Sequence, residues 1–85
     1  ARAGDESALG DLFDRYESRL FRQASRLLTD REDAQDAVAV AFFELWRKRA
    51  NVRLVDGSPL PWLLTTVANA ARNLERSGRR YRALL

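Results

Sequence analysis

The 85-residue sequence contains no cysteine and no histidine. Their absence excludes disulfide bonds, thiolate nucleophiles, imidazole general bases and the usual zinc ligands. No apolar run approaches the ~20 residues that a membrane-spanning helix needs, and no signal peptide is visible. We therefore expect an intracellular, cytoplasmic protein whose function does not depend on these groups.

The residues that are present predict one small globular domain. Apolar residues make up 46% of the sequence and charged residues 32%, which is typical of a folded chain rather than a disordered one. The charge is divided unevenly, with a net charge of −4 over residues 1–46 and +7 over residues 47–85. A basic half favours nucleic acid or an anionic membrane as a partner, whereas scattered surface charge is the alternative.

Hydrophobic periodicity predicts two helices in the acidic half. The first runs from about Asp5 to Leu28. The second starts with a capping box, in which Thr29 is the N-cap and Glu32 reaches back, and it continues to about Arg49. Their predicted core stripes contain Leu9, Leu12, Phe13, Tyr16, Leu20, Ala24 and Leu27 in the first helix, and Ala34, Val38, Ala41, Phe42 and Leu45 in the second.

A third helix is predicted in the basic half, after a loop over residues 50–58. Ser58 is its expected N-cap and Pro59 its first residue. The helix should end near Ser77, with Gly78 as the C′ residue. Its core stripe contains Leu60, Leu63, Leu64, Val67, Ala71 and Leu74. Three amphipathic helices with short connections predict an all-α, compact three-helix bundle with a basic C-terminal tail.

One face of the predicted second helix carries apolar residues away from the core. Val40 and Phe43 lie one turn apart on this face, among charges of both signs. Such a pair indicates a protein-docking surface, unless the first helix or the N-terminus covers it. The face comprises Asp33, Asp36, Val40, Phe43, Glu44 and Arg47, and we call it the docking patch.

The predicted third helix carries a second unusual face, which combines one aromatic residue with short polar side chains and arginines. These groups can stack on bases and contact base edges and phosphates. The alternative is that Trp62 folds under the preceding loop and the polar groups are simply solvated. We call the set the polar face; it comprises Trp62, Thr65, Thr66, Asn69, Asn73 and Arg76, with Arg72 at its margin.

No catalytic constellation is found in the sequence. Asp33 and Asp36 are weak candidates for a metal site, because two carboxylates on an exposed helix face are common. No glycine-rich phosphate loop occurs. We therefore expect a protein that is not an enzyme and that uses neither a metal nor a cofactor.

Several motifs, taken in order, resemble region 2 of bacterial extracytoplasmic-function (ECF) sigma factors. They are GDESAL at residues 4–9, LFDRY at 12–16, DREDAQDAV at 30–38 with Phe42, Leu45, Trp46 and Arg47 following, and PWLLTTVAN at 61–69. Each motif is loose, but their order and spacing together are specific, and the resemblance covers nearly the whole chain.

The resemblance implies a non-enzymatic promoter-recognition domain. Region 2 contacts the clamp helices of the largest subunit of core RNA polymerase, recognises the minus-ten element and helps to open the duplex. It also allows an anti-sigma factor as a partner. Region 4, which reads the minus-thirty-five element, has no counterpart in this sequence. We therefore expect residues 1–78 to form the domain and residues 79–85 to begin an interdomain linker.

The resemblance also assigns the two faces to partners. The docking patch would contact polymerase, although Ala39 and Val40 stand where many relatives have glutamine and an acidic residue. In the family, the loop before the last helix holds a base that is flipped out of the non-template strand. The predicted DNA-contacting residues are Lys48, Asn51, Arg53, Asp56, Ser58, Trp62, Thr65, Thr66, Asn69, Arg72, Asn73, Arg76, Arg79 and Arg80.

Within the loop, Asn51, Asp56 or Ser58 could read the edge of such a base, with Arg53 on a phosphate. Two other functions stay open. A helical adaptor with an incidental basic face would show no salt-sensitive binding to single-stranded DNA. A membrane-surface bundle would need a helix with an apolar face exposed to lipid, whereas the third helix uses its apolar stripe for the core.

Overall fold

The computed structural model describes the backbone of residues 3–85 and the side chains from Gly10 onward. Within this range the chain forms three α-helices: α1 over Ala3–Leu27, α2 over Arg31–Arg47 and α3 over Leu60–Leu84. Each helix packs on the other two, so the predicted all-α bundle is confirmed. The predicted core position Leu9 and the side chains of Asp5 and Glu6 lie outside the described side chains.

The start of α2 differs from the predicted capping box. Asp30, and not Thr29, is the N-cap, with φ −85° and ψ 125°. Its carboxylate accepts hydrogen bonds from the backbone N–H groups of Glu32, at 2.7 Å, and Asp33, at 3.2 Å. Thr29 and Asp30 are both good capping residues, but a carboxylate also interacts favourably with the helix dipole. At its other end α2 stops at Arg47, two residues before the predicted end.

A tight turn precedes α3. The backbone groups of Val55 and Ser58 exchange two N–H to O=C hydrogen bonds of 3.0 Å. The two residues between them, Asp56 and Gly57, have φ values of 53° and 76°. Positive φ at both central positions is the signature of type I′ turns, in which Asp-Gly is a preferred pair. The Asp56–Gly57 pair therefore forms the turn that its residue types favour.

The first residue of α3 is Leu60, one later than predicted, and Pro59 occupies the N-cap position. Ser58 still acts as a cap, because its Oγ accepts a hydrogen bond from the backbone N–H of Leu60 at 3.1 Å. The sequence therefore identified the capping side chain but placed the helix boundary one residue early.

The predicted end of α3 is wrong. The helix continues through Gly78 to Leu84, so residues 79–84 are helical. Gly78 does not adopt the positive φ that a C′ glycine needs, since positive φ in residues 3–85 occurs at Asp56 and Gly57. Arg76 and Arg79 are good helix formers on either side of Ser77 and Gly78, and an ion pair of 3.1 Å between Glu75 and Arg79 spans the glycine. The assignment of residues 79–85 to a linker stays a prediction.

The core lies where the three helices meet. Its buried residues are Leu20, Ala24, Leu28, Ala34, Ala37, Val38, Ala41, Phe42, Leu45, Leu63, Val67, Ala70 and Ala71. The predicted stripe residues Leu12, Phe13, Tyr16, Leu27, Leu60, Leu64 and Leu74 are partly buried against this core. The centroids of the Phe13 and Phe42 rings lie 4.9 Å apart, and the angle between the ring planes is 52°. Aromatic pairs favour such a tilted geometry. Among the described side chains none that is polar is buried.

Candidate protein-docking and nucleic-acid interfaces

The docking patch lies on the surface of α2. Val40 is 43% exposed and Phe43 is 61% exposed, so residues 10–27 of α1 do not cover them. Asp36 and Arg47 are exposed beside them, whereas Asp33 and Glu44 are half-buried. The helix period brings these six side chains to one side, because they recur at intervals of three and four residues. The result is a small apolar centre with a charged rim.

Glu44 fixes the charges at one end of the docking patch. Its Oε1 lies 2.8 Å from Nη2 of Arg47 and 3.4 Å from Nζ of Lys48. The hydrogen bond from Arg47 is the main cause that lowers the pKa of the Glu44 carboxyl, and partial desolvation opposes it. The ionised form of this carboxyl is therefore favoured, and the side chains of Arg47 and Lys48 are held beside it at the end of α2.

The loop between α2 and α3 exposes most of its predicted DNA-contacting residues. Lys48, Asn51, Arg53 and Asp56 are all exposed. Leu54 and Val55 are also exposed, at 55% and 48%, and sequence reasoning did not single them out. Two apolar side chains are therefore exposed directly before the Asp-Gly turn.

Ser58 differs from the other predicted loop residues. It is half-buried, and its hydroxyl lies 3.1 Å from the Tyr16 hydroxyl as well as bonding to Leu60 N–H. A hydroxyl has one donor hydrogen and two acceptor lone pairs, so these contacts use most of its capacity. Ser58 is therefore positioned to hold the loop rather than to extend from it.

The polar face of α3 is continuous on the surface but not uniform. Thr65, Asn69, Asn73 and Arg76 are exposed. Trp62 is half-buried and packs against the core. The Trp62 side chain is therefore covered in part by the bundle and remains in part accessible to solvent.

Two members of the polar face are engaged within the helix. The Thr66 hydroxyl donates to the Trp62 carbonyl at 2.8 Å, and the Arg72 guanidinium donates to Asn69 Oδ1 at 3.2 Å. The first bond uses the donor of Thr66, while the second orients the Asn69 amide and leaves its NH₂ group to donate. Further along α3, Arg79 is paired with Glu75, and Arg80 is exposed.

A shallow groove beside the polar face brings in a residue that sequence reasoning missed. Gln23 of α1 lines it together with Leu64, Thr65, Ala68 and Arg72 of α3. A signal for Gln23 was present, since it lies three residues after Leu20 and four before Leu27, on the apolar stripe. A polar residue on that stripe indicates a place where the α1–α3 interface opens to solvent.

A second missed contact involves Trp46 at the end of α2. The Arg49 guanidinium lies 4.1 Å from the centre of the Trp46 ring and donates to its backbone carbonyl at 2.7 Å. This cation–π contact secures the last turn of α2 beside the docking patch. The two residues are three positions apart, which brings their side chains to the same side of the chain.

In the part of the chain that the structure describes, no group of three or more acidic side chains could hold a metal ion. No helix there is both long and apolar enough to cross a membrane.

Comparison with known proteins identifies the family of this fold. The model of the family Sigma-70 region 2 matches residues 12–81. The chain is 30% identical over 73 residues to proteins named ECF RNA polymerase sigma factor SigK in Mycobacterium sp. strains KMS and JLS. Each match covers 86% of this chain but 38% of the relative. No solved structure matches the chain significantly. The chain therefore belongs to the sigma-70 region 2 family, as a region 2 domain of the extracytoplasmic-function type.

Proposed function

We propose that this domain acts in transcription initiation, by docking on core RNA polymerase and engaging the minus-ten element of promoter DNA. The observation that carries the proposal is the presence of two chemically different surfaces on different parts of the bundle. Exposed Val40 and Phe43 form an apolar docking patch on α2, while a basic loop and the polar face lie on the next element. One rigid bundle can therefore hold a protein partner and a nucleic-acid strand at the same time.

The docking patch is suited to a helical protein partner. Its apolar centre can be buried, and its rim offers Asp36 and the paired Glu44–Arg47 for polar contacts. Charged and polar groups at a rim mainly set orientation and association rate, whereas the apolar centre contributes most of the affinity. The clamp helices of the largest polymerase subunit are the partner that the family relationship favours.

Replacement of Phe43 tests the polymerase contact. We expect Phe43→Asp to abolish binding to core polymerase, because burying an unpaired carboxylate costs several kcal/mol, or about 100-fold or more in affinity. Gln35→Asp is the matched control, since it adds the same charge at an exposed α2 position outside the docking patch. Circular dichroism should report folded helices for both variants. Undiminished binding of folded Phe43→Asp in a pull-down would remove this assignment.

The nucleic-acid surface is suited to single-stranded DNA. Trp62 offers a partly accessible ring for stacking, Asn69 offers an oriented amide, and Arg76 and Arg80 offer exposed positive charge. Base stacking and a positively charged track are the two requirements for binding an unpaired strand. A domain that binds the unpaired non-template strand also favours duplex opening, by mass action on the melted state.

Salt dependence tests the nucleic-acid contact. Each phosphate contact contributes about −0.7 to the slope of log affinity against log salt, so engagement of Arg53, Arg76 and Arg80 predicts a slope of roughly −2. Arg76→Ala should weaken binding to correct and scrambled strands equally and make the slope shallower by about 0.7. Asn69→Ala should weaken binding to the correct minus-ten strand more than to the scrambled one, because an amide reads base edges.

A control arginine lies on the other side of the bundle. Arg22 lines a groove between α1 and α2, away from α3, so Arg22→Ala should leave the slope unchanged. Fluorescence titration with labelled single strands measures all four proteins. A slope near zero for the wild-type domain would contradict the proposal and favour a helical adaptor module.

A further inference from the structure

The loop before α3 is held in place by few contacts, although the proposed function requires it to present a defined surface. Asn51 and residues 53–57 are exposed, and Val52 is half-buried against the core. The turn itself is closed by the two hydrogen bonds between Val55 and Ser58. Those bonds fix the shape of the turn, but they do not fix its position relative to the helices.

Ser58 provides the connection between the turn and the bundle. Its backbone closes the turn, its Oγ accepts from Leu60 N–H at the start of α3, and the same oxygen lies 3.1 Å from the Tyr16 hydroxyl of α1. The turn, α3 and α1 therefore meet at one side chain. Tyr16 is 42 residues away in sequence, so this contact is available only in the folded bundle.

The Tyr16 hydroxyl is not explained by core packing. The ring is half-buried and packs against the core, where Phe13 and Phe21 of the same helix fill comparable positions without a hydroxyl. The hydrogen bond with Ser58 is the main cause that lowers the pKa of Tyr16 from its ordinary value, against the effect of burial. Phenylalanine would satisfy the apolar contacts at residue 16, so the hydroxyl serves the loop.

We propose that Tyr16 is a positioning residue, whose hydroxyl acts through Ser58 to hold the Asp56–Gly57 turn in one place for base selection. The inference rests on the proposed function and on the role that the family resemblance implies for this loop, which is to hold a base that is flipped out of the minus-ten strand. A loop that is already fixed loses less conformational entropy on binding, and it presents one arrangement of polar groups to the base. A loop that moves would bind several bases with similar affinity.

The variant Tyr16→Phe tests the tether because it keeps the ring. Its first readout is solvent exchange of the backbone N–H groups of Val55 and Ser58, measured by NMR without any ligand. Loss of one hydrogen bond should increase the exchange rates of these two N–H groups by about three- to tenfold. Exchange in the middle of α1 and α2 should stay unchanged. Tyr81→Phe is the matched control, since it removes a hydroxyl from an exposed tyrosine of α3.

The second readout is base discrimination. Single strands that differ at one position of the minus-ten element are titrated against the wild type, Tyr16→Phe and Tyr81→Phe. We expect Tyr16→Phe to reduce the affinity ratio between preferred and substituted strands by about three- to tenfold. Its salt slope and its polymerase binding should match the wild type. The double variant Tyr16→Phe/Ser58→Ala should have nearly the same affinity ratio as Ser58→Ala alone, because Tyr16 acts through Ser58.

The outcomes separate this inference from the function on which it rests. If the wild type does not discriminate between strands, the proposed function of the loop fails. If the wild type discriminates and Tyr16→Phe discriminates equally well, the positioning role of Tyr16 is overturned. Unchanged exchange at Val55 and Ser58 in Tyr16→Phe would overturn the tether itself.

Discussion

At the scale of single residues, the pKa of the Glu44 carboxyl in the docking patch depends on its two cationic partners. Arg47 is its nearer partner, at 2.8 Å, and Lys48 lies at 3.4 Å. We expect Arg47→Ala to raise the pKa of Glu44 toward its ordinary value and Lys48→Ala to raise it less, because the Arg47 hydrogen bond is the main cause of the shift. NMR titration of the Glu44 side-chain carboxyl measures both variants. An unchanged midpoint in Arg47→Ala would show that this pair does not persist in solution.

The direction of this shift also sets its effect on stability. The pKa of Glu44 is lower in the folded state than its ordinary value of 4.5. The pairing therefore stabilises the fold fully above that ordinary value, and the stabilisation is lost as pH falls through the lower folded value. High salt should weaken the effect further, because the pair lies at the surface.

Single hydroxyls mark the limit of what the sequence could predict about the site. Helical periodicity placed Val40 and Phe43 on the face of α2 opposite its core stripe, and both side chains are exposed in the structure. It could not predict that Ser58 bonds to Tyr16, because that contact depends on how α1 and α3 pack. The bond from Thr66 to the Trp62 carbonyl is local, but competition with solvent decides whether it forms.

At the scale of elements, substitutions of glycine by alanine test whether a helix continues through the glycine. Gly10 and Gly78 lie inside α1 and α3, whereas Gly57 lies in the turn with a φ of 76°. We expect Gly10→Ala and Gly78→Ala to stabilise the protein by up to about 1 kcal/mol each, since alanine is the better helix former. A Cβ at residue 10 meets no atom within 4 Å, and at residue 78 it meets the flexible Arg82 guanidinium at 3.4 Å.

Gly57→Ala is the control of opposite sign, because the positive φ of the turn strains any residue with a Cβ. We expect it to destabilise the protein by about 1 kcal/mol. Thermal unfolding of the three variants measures the sign of each change. If Gly78→Ala destabilised the protein as Gly57→Ala does, then α3 would end at Gly78 as the sequence suggested.

The elements were predicted well in number and less well at their ends. The apolar stripes around Leu20, Val38 and Val67 recur over several turns, so many residues agree on each helix. A boundary depends on one or two residues, and adjacent candidates such as Thr29 and Asp30 have similar capping strength. At Gly78 the cost of one glycine is offset by nearby helix formers such as Arg76 and Arg79. A glycine taken alone as an end signal does not include this contribution.

At the scale of the whole molecule, alanine determines how closely the helices approach. Half of the buried apolar side chains among the described residues are alanine. Small side chains at helix contacts leave little space for additional atoms. We expect Ala37→Leu to destabilise the bundle by about 1–3 kcal/mol through overpacking, because Ala37 is fully buried.

Ala39 provides the control for this experiment, since it is an exposed alanine on the same helix. Ala39→Leu should change stability by no more than about 0.5 kcal/mol. Urea unfolding followed by circular dichroism compares the two variants. Equal effects would mean that the helix contacts are looser than this packing implies.

The positions of the two tryptophans give the domain an optical reporter for each of its surfaces. Trp46 lies under the Arg49 guanidinium beside the docking patch, and Trp62 lies on the first turn of α3 beside the loop. Replacing either indole with phenylalanine leaves a single tryptophan, which can be excited selectively over the two tyrosines without an attached label. Quenching of Trp62 would then follow strand binding, while the spectrum of Trp46 would follow attachment to a protein. Stopped-flow mixing of the two single-tryptophan variants, run in parallel, would time the order of the two events.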